Sequence, residues 1–185
     1  MQPVLIIITG IPASGKTTLA RAITNRYQLP LLQKDIIKET LYDSMEHTNN
    51  AQSPMLGGVS LQLIFTLANT FLSAGQSVVL ESNFHKDRDF EQLLTLINKY
   101  QPNVVQIVCK GDSKTLFDRF KHRATTEQRH PVHTDPFTFE QYCKHVDNKT
   151  YGPFKLDGTL IELETTDFTT MNTDEIYSKL DTLLQ

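Results

Sequence analysis

The run Gly10-Ile11-Pro12-Ala13-Ser14-Gly15-Lys16-Thr17 fits the spacing G-x-x-x-x-G-K-[ST] at every fixed position. These residue types at this spacing suit polyphosphate chemistry. Glycine lets the backbone turn until successive N–H groups point inward and approach an anion closely. The helix that opens behind the loop adds its unpaired N–H donors and dipole. Lys16 supplies a point charge for the β- and γ-phosphates, and the Thr17 hydroxyl can ligate Mg²⁺. Gly10, Ala13, Ser14, Gly15, Lys16, Thr17 and Thr18 are therefore the expected residues for binding ATP. Composition alone gives a chance match in a chain of this length a probability on the order of 1%.

Binding a triphosphate is not yet a reaction. Asp35 follows a short apolar run, where a carboxylate can face an acceptor hydroxyl and take its proton during transfer. Asp is also a preferred N-cap, and a helix is expected to begin here, so both roles stand open. Glu81 ends a third strand-like run, Ser77–Glu81, in the position of an acid that holds Mg²⁺ or its water shell. A glutamate there could instead contact the acceptor, with Asn83 close behind it. Between Lys110 and His133 cations outnumber anions, and Arg119 and Arg123 stand four apart on one helix face. These arginines, with Arg129, could close over a γ-phosphate and stabilise charge in the transition state. His122, His130 and His133 lack an acidic or cysteine partner at metal-ligand spacing, so no metal site is expected among them.

Elements of a particular kind are needed to position these groups. Short β-rich runs alternate with longer helical patterns, the signature of a parallel α/β sheet. Strands are expected at Val4–Thr9, Leu31–Lys34, Ser77–Glu81, Val104–Cys109 and Gly158–Thr165. Helices are expected at about Lys16–Tyr27, Asp35–Tyr42, Leu56–Ala74, Asp87–Tyr100, Ser113–His122 and Thr138–Lys149. A last helix is expected from Asn172, with Asn172 and Glu175 at capping-box spacing. The polar stretch Asp43–Pro54 reads as a mobile loop, and Arg123–Thr134 as irregular. Short connections leave no linker, so 1–185 is expected to form one domain.

Composition bounds the possibilities. The 185 residues carry 18 Lys plus Arg against 21 Asp plus Glu, a net charge of −3 that disfavours an extended double-stranded DNA surface. The richest apolar stretch, Val59–Leu72, is broken by polar residues and reads as a buried helix, with no membrane partner expected. Two cysteines, Cys109 and Cys143, are too few for a disulfide scaffold. Cys109 lies in an apolar run as a core residue, and a cytoplasmic setting is expected.

With these motifs in order, the chain resembles the P-loop kinases of the AAA_33 type, a group similar to zeta-toxin and chloramphenicol phosphotransferases and to polynucleotide kinase modules. The matching segments are Gly10–Thr17, Lys34-Asp35, Val79–Phe84 and Leu116–Arg123. The resemblance implies a five-stranded parallel sheet in the order 2-3-1-4-5, helices on both faces, and a small lid at about 120–136. It also implies phosphoryl transfer from ATP with Mg²⁺, an acceptor-side Asp at Asp35, and lid arginines at Arg119 and Arg123. Thr165, Thr166 and Asp167 fall near the nucleotide base in such kinases. Glu81 departs from the commoner Asp. The expected activity is transfer of the γ-phosphate to a hydroxyl of a small molecule, nucleotide or nucleic-acid end. The alternative is a nucleotide-dependent switch or ATPase that acts through a protein partner.

Overall fold

The computed structural model describes residues 2–45, 50–126, 129–133 and 137–184. Five strands, β1 (Val4–Gly10), β2 (Leu31–Gln33), β3 (Val78–Glu81), β4 (Asn103–Lys110) and β5 (Thr159–Glu164), form one sheet in the order β2-β3-β1-β4-β5. Every pairing is parallel, as the alternation of strands and helical crossovers requires. The helices are α1 (Lys16–Tyr27), α2 (Lys34–Ser44), α3 (Ser53–Ser73), α4 (Phe90–Tyr100), α5 (Ser113–Thr126), α6 (Phe139–Asp147) and α7 (Asp174–Leu183).

The central strand explains the layering. All of β1 is buried, and its side chains alternate between two cores. Leu5 and Ile7 join Leu61, Ile64, Phe65, Leu93 and Ile97 from α3 and α4 on one face. Val4, Ile6 and Ile8 join Leu19, Ile23, Ile176 and Leu180 from α1 and α7 on the other. Cys109 lies within that second core, and burial pushes its thiol up to about 12. A third cluster, Ile11, Leu116, Phe117, Phe120 and Tyr142, packs α5 and α6 beneath the loop that follows β1.

Several boundaries differ from the sequence expectation. Helix α3 begins at Ser53, because Pro54 sits in its first turn, where a missing N–H costs nothing. Helix α2 runs on to Ser44, so only 46–49 of the expected Asp43–Pro54 loop lies outside the described residues, and Asn50–Gln52 form a 3-10 turn. Helix α5 continues through Thr126 instead of stopping at His122. Lys121, Arg123 and Ala124 are good helix formers, and the Thr125 hydroxyl folds back onto the Lys121 and His122 carbonyls. The expected Asn172–Glu175 capping box does not form. Asn172 instead accepts the Asp174 N–H at 2.9 Å, closing a local turn, and α7 starts behind Thr173. The capping box in this fold belongs to α6, between Thr138 and Gln141.

Helix α3 is long and apolar enough to cross a membrane, but its inner side chains, Leu61, Ile64, Phe65 and Ala68, fill the first core. Near its start lie two adjacent glycines, Gly57 and Gly58, each costing a helix interior about 1 kcal/mol relative to alanine.

Helices α1 and α7 are tied at their ends. Arg26 donates to Asp181 at 3.0 Å, and the Tyr27 hydroxyl donates to the same carboxylate at 2.6 Å. Burial, and next the bond to Asp181, push the Tyr27 phenol up to about 12. The Tyr27 hydroxyl, and next Arg26, hold the Asp181 carboxyl below its usual range. A depressed folded-state value contributes stability that is complete above the ordinary Asp value of about 3.9 and is lost as pH falls through the lowered one. Asp181→Asn should therefore melt below the parent protein at pH 7. Thermal melts across pH should show that difference closing as the solution is acidified below about 3.9.

Candidate functional site

The loop Ile11–Ser14 connects β1 to α1 and takes its shape from two glycines. Gly10, at φ 140, runs so close to β4 that a Cβ would collide with the Cys109 carbonyl oxygen. Gly15, at φ 81, is the left-handed N-cap of α1, and a Cβ there would meet the Phe168 ring at 2.8 Å. Ala13 is also held at positive φ, 66°, a strained backbone of the kind found at ligand sites. Among the described residues the Ser14 hydroxyl is buried without a hydrogen-bond partner, although such groups are normally satisfied. The loop is braced from below by Tyr142 of α6, whose hydroxyl donates to the Pro12 carbonyl at 2.5 Å.

Lys16 opens α1 and is only 8% exposed, with its ammonium donating to the Ile11 carbonyl at 2.8 Å. Burial lowers its pKa, opposed first by the charge of Glu81. Glu81, at the end of β3, is 5% exposed, and burial pushes its carboxyl up against the opposing pull of Lys16. Thr17 donates to Glu81 Oε2 at 3.2 Å, and Gln33 Nε2 donates to the same oxygen at 2.8 Å and to the Thr17 hydroxyl at 3.2 Å. This cluster of hydroxyl and carboxylate oxygens beside the phosphate loop is the donor set that suits Mg²⁺. Gln33 escaped the sequence reading because a lone Gln at a strand end has no motif. It occupies the N-cap of α2, so Asp35 does not. Asp35 stands instead in the first turn of α2, exposed to the cavity and close enough to influence both Lys16 and Glu81.

A single cavity of about 770 Å³, within the range of small-molecule sites, is lined by Lys16, Thr17, Asp35, Glu81, Asn83, Arg119, Arg123 and Arg129, among others. Phosphate-loop residues, Asp35, Glu81 and Asn83 thus stand beyond the carboxyl ends of β1, β2 and β3, and Arg119, Arg123 and Arg129 line the same cavity, whereas Gly10 and Ser14 do not line it. Arg119 has an additional engagement. Its guanidinium donates to the Thr165 and Thr166 carbonyls at 2.7 and 2.6 Å and lies 4.1 Å from the centre of the Phe168 ring. That ties it to the β5–α7 connection. Arg123 extends from the last turns of α5, and its charge is felt at Lys16. Arg129 lies over Phe120 at 5.2 Å. Asn83 accepts from Lys34 at 3.4 Å. His130 and His133 pair with Asp43 and Glu39 of α2, at 3.0 and 2.7 Å. Among the described residues no cluster of three metal-ligating side chains is present.

The family model described as an AAA domain, AAA_33, matches residues 5–145. The chain belongs to the AAA_33 family. A candidate kinase from Chloroflexus aurantiacus is similar to it over 100% of both chains, at 32% identity and a TM-score of 0.88. Kti12 of Chaetomium thermophilum, solved with ADP-AlF3, is similar over 98% of this chain and 99% of its own, at 18% identity and a TM-score of 0.64. A gluconokinase of Sinorhizobium meliloti is similar over 98% and 91%, at 15% identity and a TM-score of 0.53. The last two likenesses establish the fold alone. No curated protein matches the sequence. This AAA_33 chain therefore has a kinase-like, nucleotide-binding P-loop fold.

The loop geometry makes a specific demand at Gly15. Gly15→Ala should cost about 1–2 kcal/mol of stability from the left-handed backbone and weaken nucleotide binding. Replacing Phe168 by alanine as well should remove the steric contact but not the backbone cost. Thermal melts and nucleotide titrations of the single and double variants should show partial recovery only.

Proposed function

We propose that this AAA_33 protein is an ATP-dependent phosphotransferase that moves the γ-phosphate to a hydroxyl of a small acceptor, acting as one unit over 1–185. The observation that carries this reading is the joint of Lys16, Thr17, Gln33 and Glu81 beneath a phosphate-type loop, with Asp35 on the same cavity. Loop amides and the Lys16 ammonium hold the β- and γ-phosphates, which requires Lys16 to leave the Ile11 carbonyl. The Ser14 hydroxyl, buried without a partner among the described residues, gains one in the phosphates.

Thr17 and Glu81 would hold Mg²⁺, whose charge offsets that of the phosphate oxygens. Gln33 fixes the Glu81 carboxylate in place. Asp35 accepts the proton of the acceptor hydroxyl as its oxygen bonds to the γ-phosphorus. The bond from that phosphorus to the β–γ bridging oxygen breaks, and ADP leaves with the electron pair. Arg123 stabilises the charge spread over the transferring group, while Arg119 positions the Thr165–Phe168 segment beside the loop. The acceptor enters from the side of α2 and α3.

A screen for transfer of labelled γ-phosphate to antibiotics, nucleosides, sugars and 5′-hydroxyl oligonucleotides tests this directly. ATP binding with only slow hydrolysis against every acceptor would favour a nucleotide-dependent switch. With a productive acceptor, Lys16→Ala should lower kcat/KM at least about 10²-fold. Asp35→Asn should leave ATP affinity intact and reduce kcat by about 10²–10⁴-fold, as expected for a positioned base. Full activity in Asp35→Asn with loss in Glu81→Gln would move the acceptor role to Glu81.

A further inference from the structure

The turn His130-Pro131-Val132-His133 carries two histidines that phosphotransfer leaves unused. The His133 N–H donates to the His130 carbonyl at 3.1 Å, and proline stands second, where its fixed φ suits a β-turn. The histidines occupy the two ends of the turn, with ring centres 6.2 Å apart. Glu39 and Asp43 stand four apart on one face of α2. The two spacings match: His133 Nε2 meets Glu39 at 2.7 Å, and His130 Nε2 meets Asp43 at 3.0 Å. Val132 between them is fully buried, and its carbonyl accepts from Ser53 of α3 at 2.8 Å.

The two rings are not equivalent. His130 has both nitrogens engaged: Nδ1 accepts the Val132 N–H at 3.3 Å, and Nε2 donates to Asp43. It packs edge-on against Tyr42 and does not line the cavity, so it serves as a fastening. His133 does line the cavity, although its side chain is only 7% exposed. Among the described residues its Nδ1 has no hydrogen-bond partner. A carboxylate can only accept, so Glu39 fixes the proton on Nε2 and leaves Nδ1 of the neutral ring as an acceptor. A buried imidazole oriented from behind by a carboxylate, with its other nitrogen unpartnered at a cavity wall, is arranged to meet a ligand.

We propose that His133, oriented by Glu39, is an acceptor-binding residue whose Nδ1 takes a hydrogen bond from a hydroxyl or amino group beside the phosphorylated hydroxyl. Asp35 and Glu39 are one turn apart on the same face of α2, so the ring held by Glu39 stands on the same side of the cavity as the base. The acceptor is thus a polyol or an amino alcohol, and an isolated alcohol satisfies only half of the site. This rests on the phosphotransferase reading, in which Asp35 takes the proton of the reacting hydroxyl.

The test assays the full chain with Mg²⁺ and labelled ATP against adenosine, glucose, gluconate and kanamycin. The fastest acceptor is then compared with its analogue lacking the neighbouring hydroxyl or amine. His133→Phe should raise the acceptor KM about 10-fold, the loss expected for one hydrogen bond, and leave the ATP KM within about twofold. The analogue should lose a similar factor with the parent protein and nothing further with His133→Phe, because both changes remove the same bond. Glu39→Gln can still accept the Nε2 proton and should keep the acceptor KM, whereas Glu39→Leu should raise it as His133→Phe does. Glu39 is partly exposed, so Glu39→Leu carries the same comparison if His133→Phe does not fold. Additive losses, or a lowered thermal midpoint with the acceptor KM unmoved, would make His133 purely structural and leave the phosphotransferase reading intact. ATP binding without transfer to any of the four acceptors would overturn both readings together.

Discussion

The structure depends on keeping a cation and an anion out of water together. Lys16 and Glu81 are each driven toward neutrality by burial, and each is opposed by the charge of the other. Each charge offsets part of the burial cost of the other. The remaining architecture fixes their separation. Glu81 ends β3, Lys16 opens α1 behind β1, and the register sets Glu81 beside Ile8, two residues before β1 ends at Gly10. Gln33 adds a third strand end to the same joint, through the parallel pairing of Gln33 with Glu81. An incoming triphosphate thus meets a cation whose hydration has already been removed during folding.

The loop above this pair is rigidified by neighbours that perform no chemistry. The third core cluster places Ile11 among Leu116, Phe117, Phe120 and Tyr142, and Tyr142 also holds the Pro12 carbonyl. Aromatic packing between α5 and α6 therefore supports the loop directly, with ring centres of Phe117 and Tyr142 5.4 Å apart. On the other side Phe168 lies against Gly15 and is itself held by Arg119. Ala13, at its positive φ, packs against the same α5–α6 cluster.

Much of the frame was legible in the sequence because local rules and tertiary demands agree there. The β-branched run Val4–Ile8, the loop spacing and the alternation of strands and helices all point to one parallel sheet. The order of strands came from the resemblance, since periodicity does not specify which strands are neighbours. Misread boundaries arose where one residue type serves two purposes. Pro54 looked like loop punctuation but starts α3, and Asn172 looked like a cap but closes a turn. In the site, Asp35 and Glu81 were visible as carboxylates at strand ends. Gln33, Tyr142 and Phe168 were not, because each matters through a partner distant in sequence.

Helix α5 joins the two halves of the cavity, and its anchors lie at opposite sides. Near its start Asp112 accepts the Thr115 N–H at 2.8 Å, and Arg119 is fastened to the β5–α7 carbonyls beside the nucleotide loop. Beyond its far end the segment 129–133 rests on α2 and α3. His130 and His133 meet Asp43 and Glu39, and the Val132 carbonyl accepts from Ser53, which in turn receives the Lys38 ammonium. Arg123 projects between these two sets of contacts. Lys38 of α2, Ser53 of α3 and Val132 thus form one hydrogen-bonded chain. In the proposed phosphotransfer, that chain couples the cavity wall formed by α2 and α3 to the segment that follows α5.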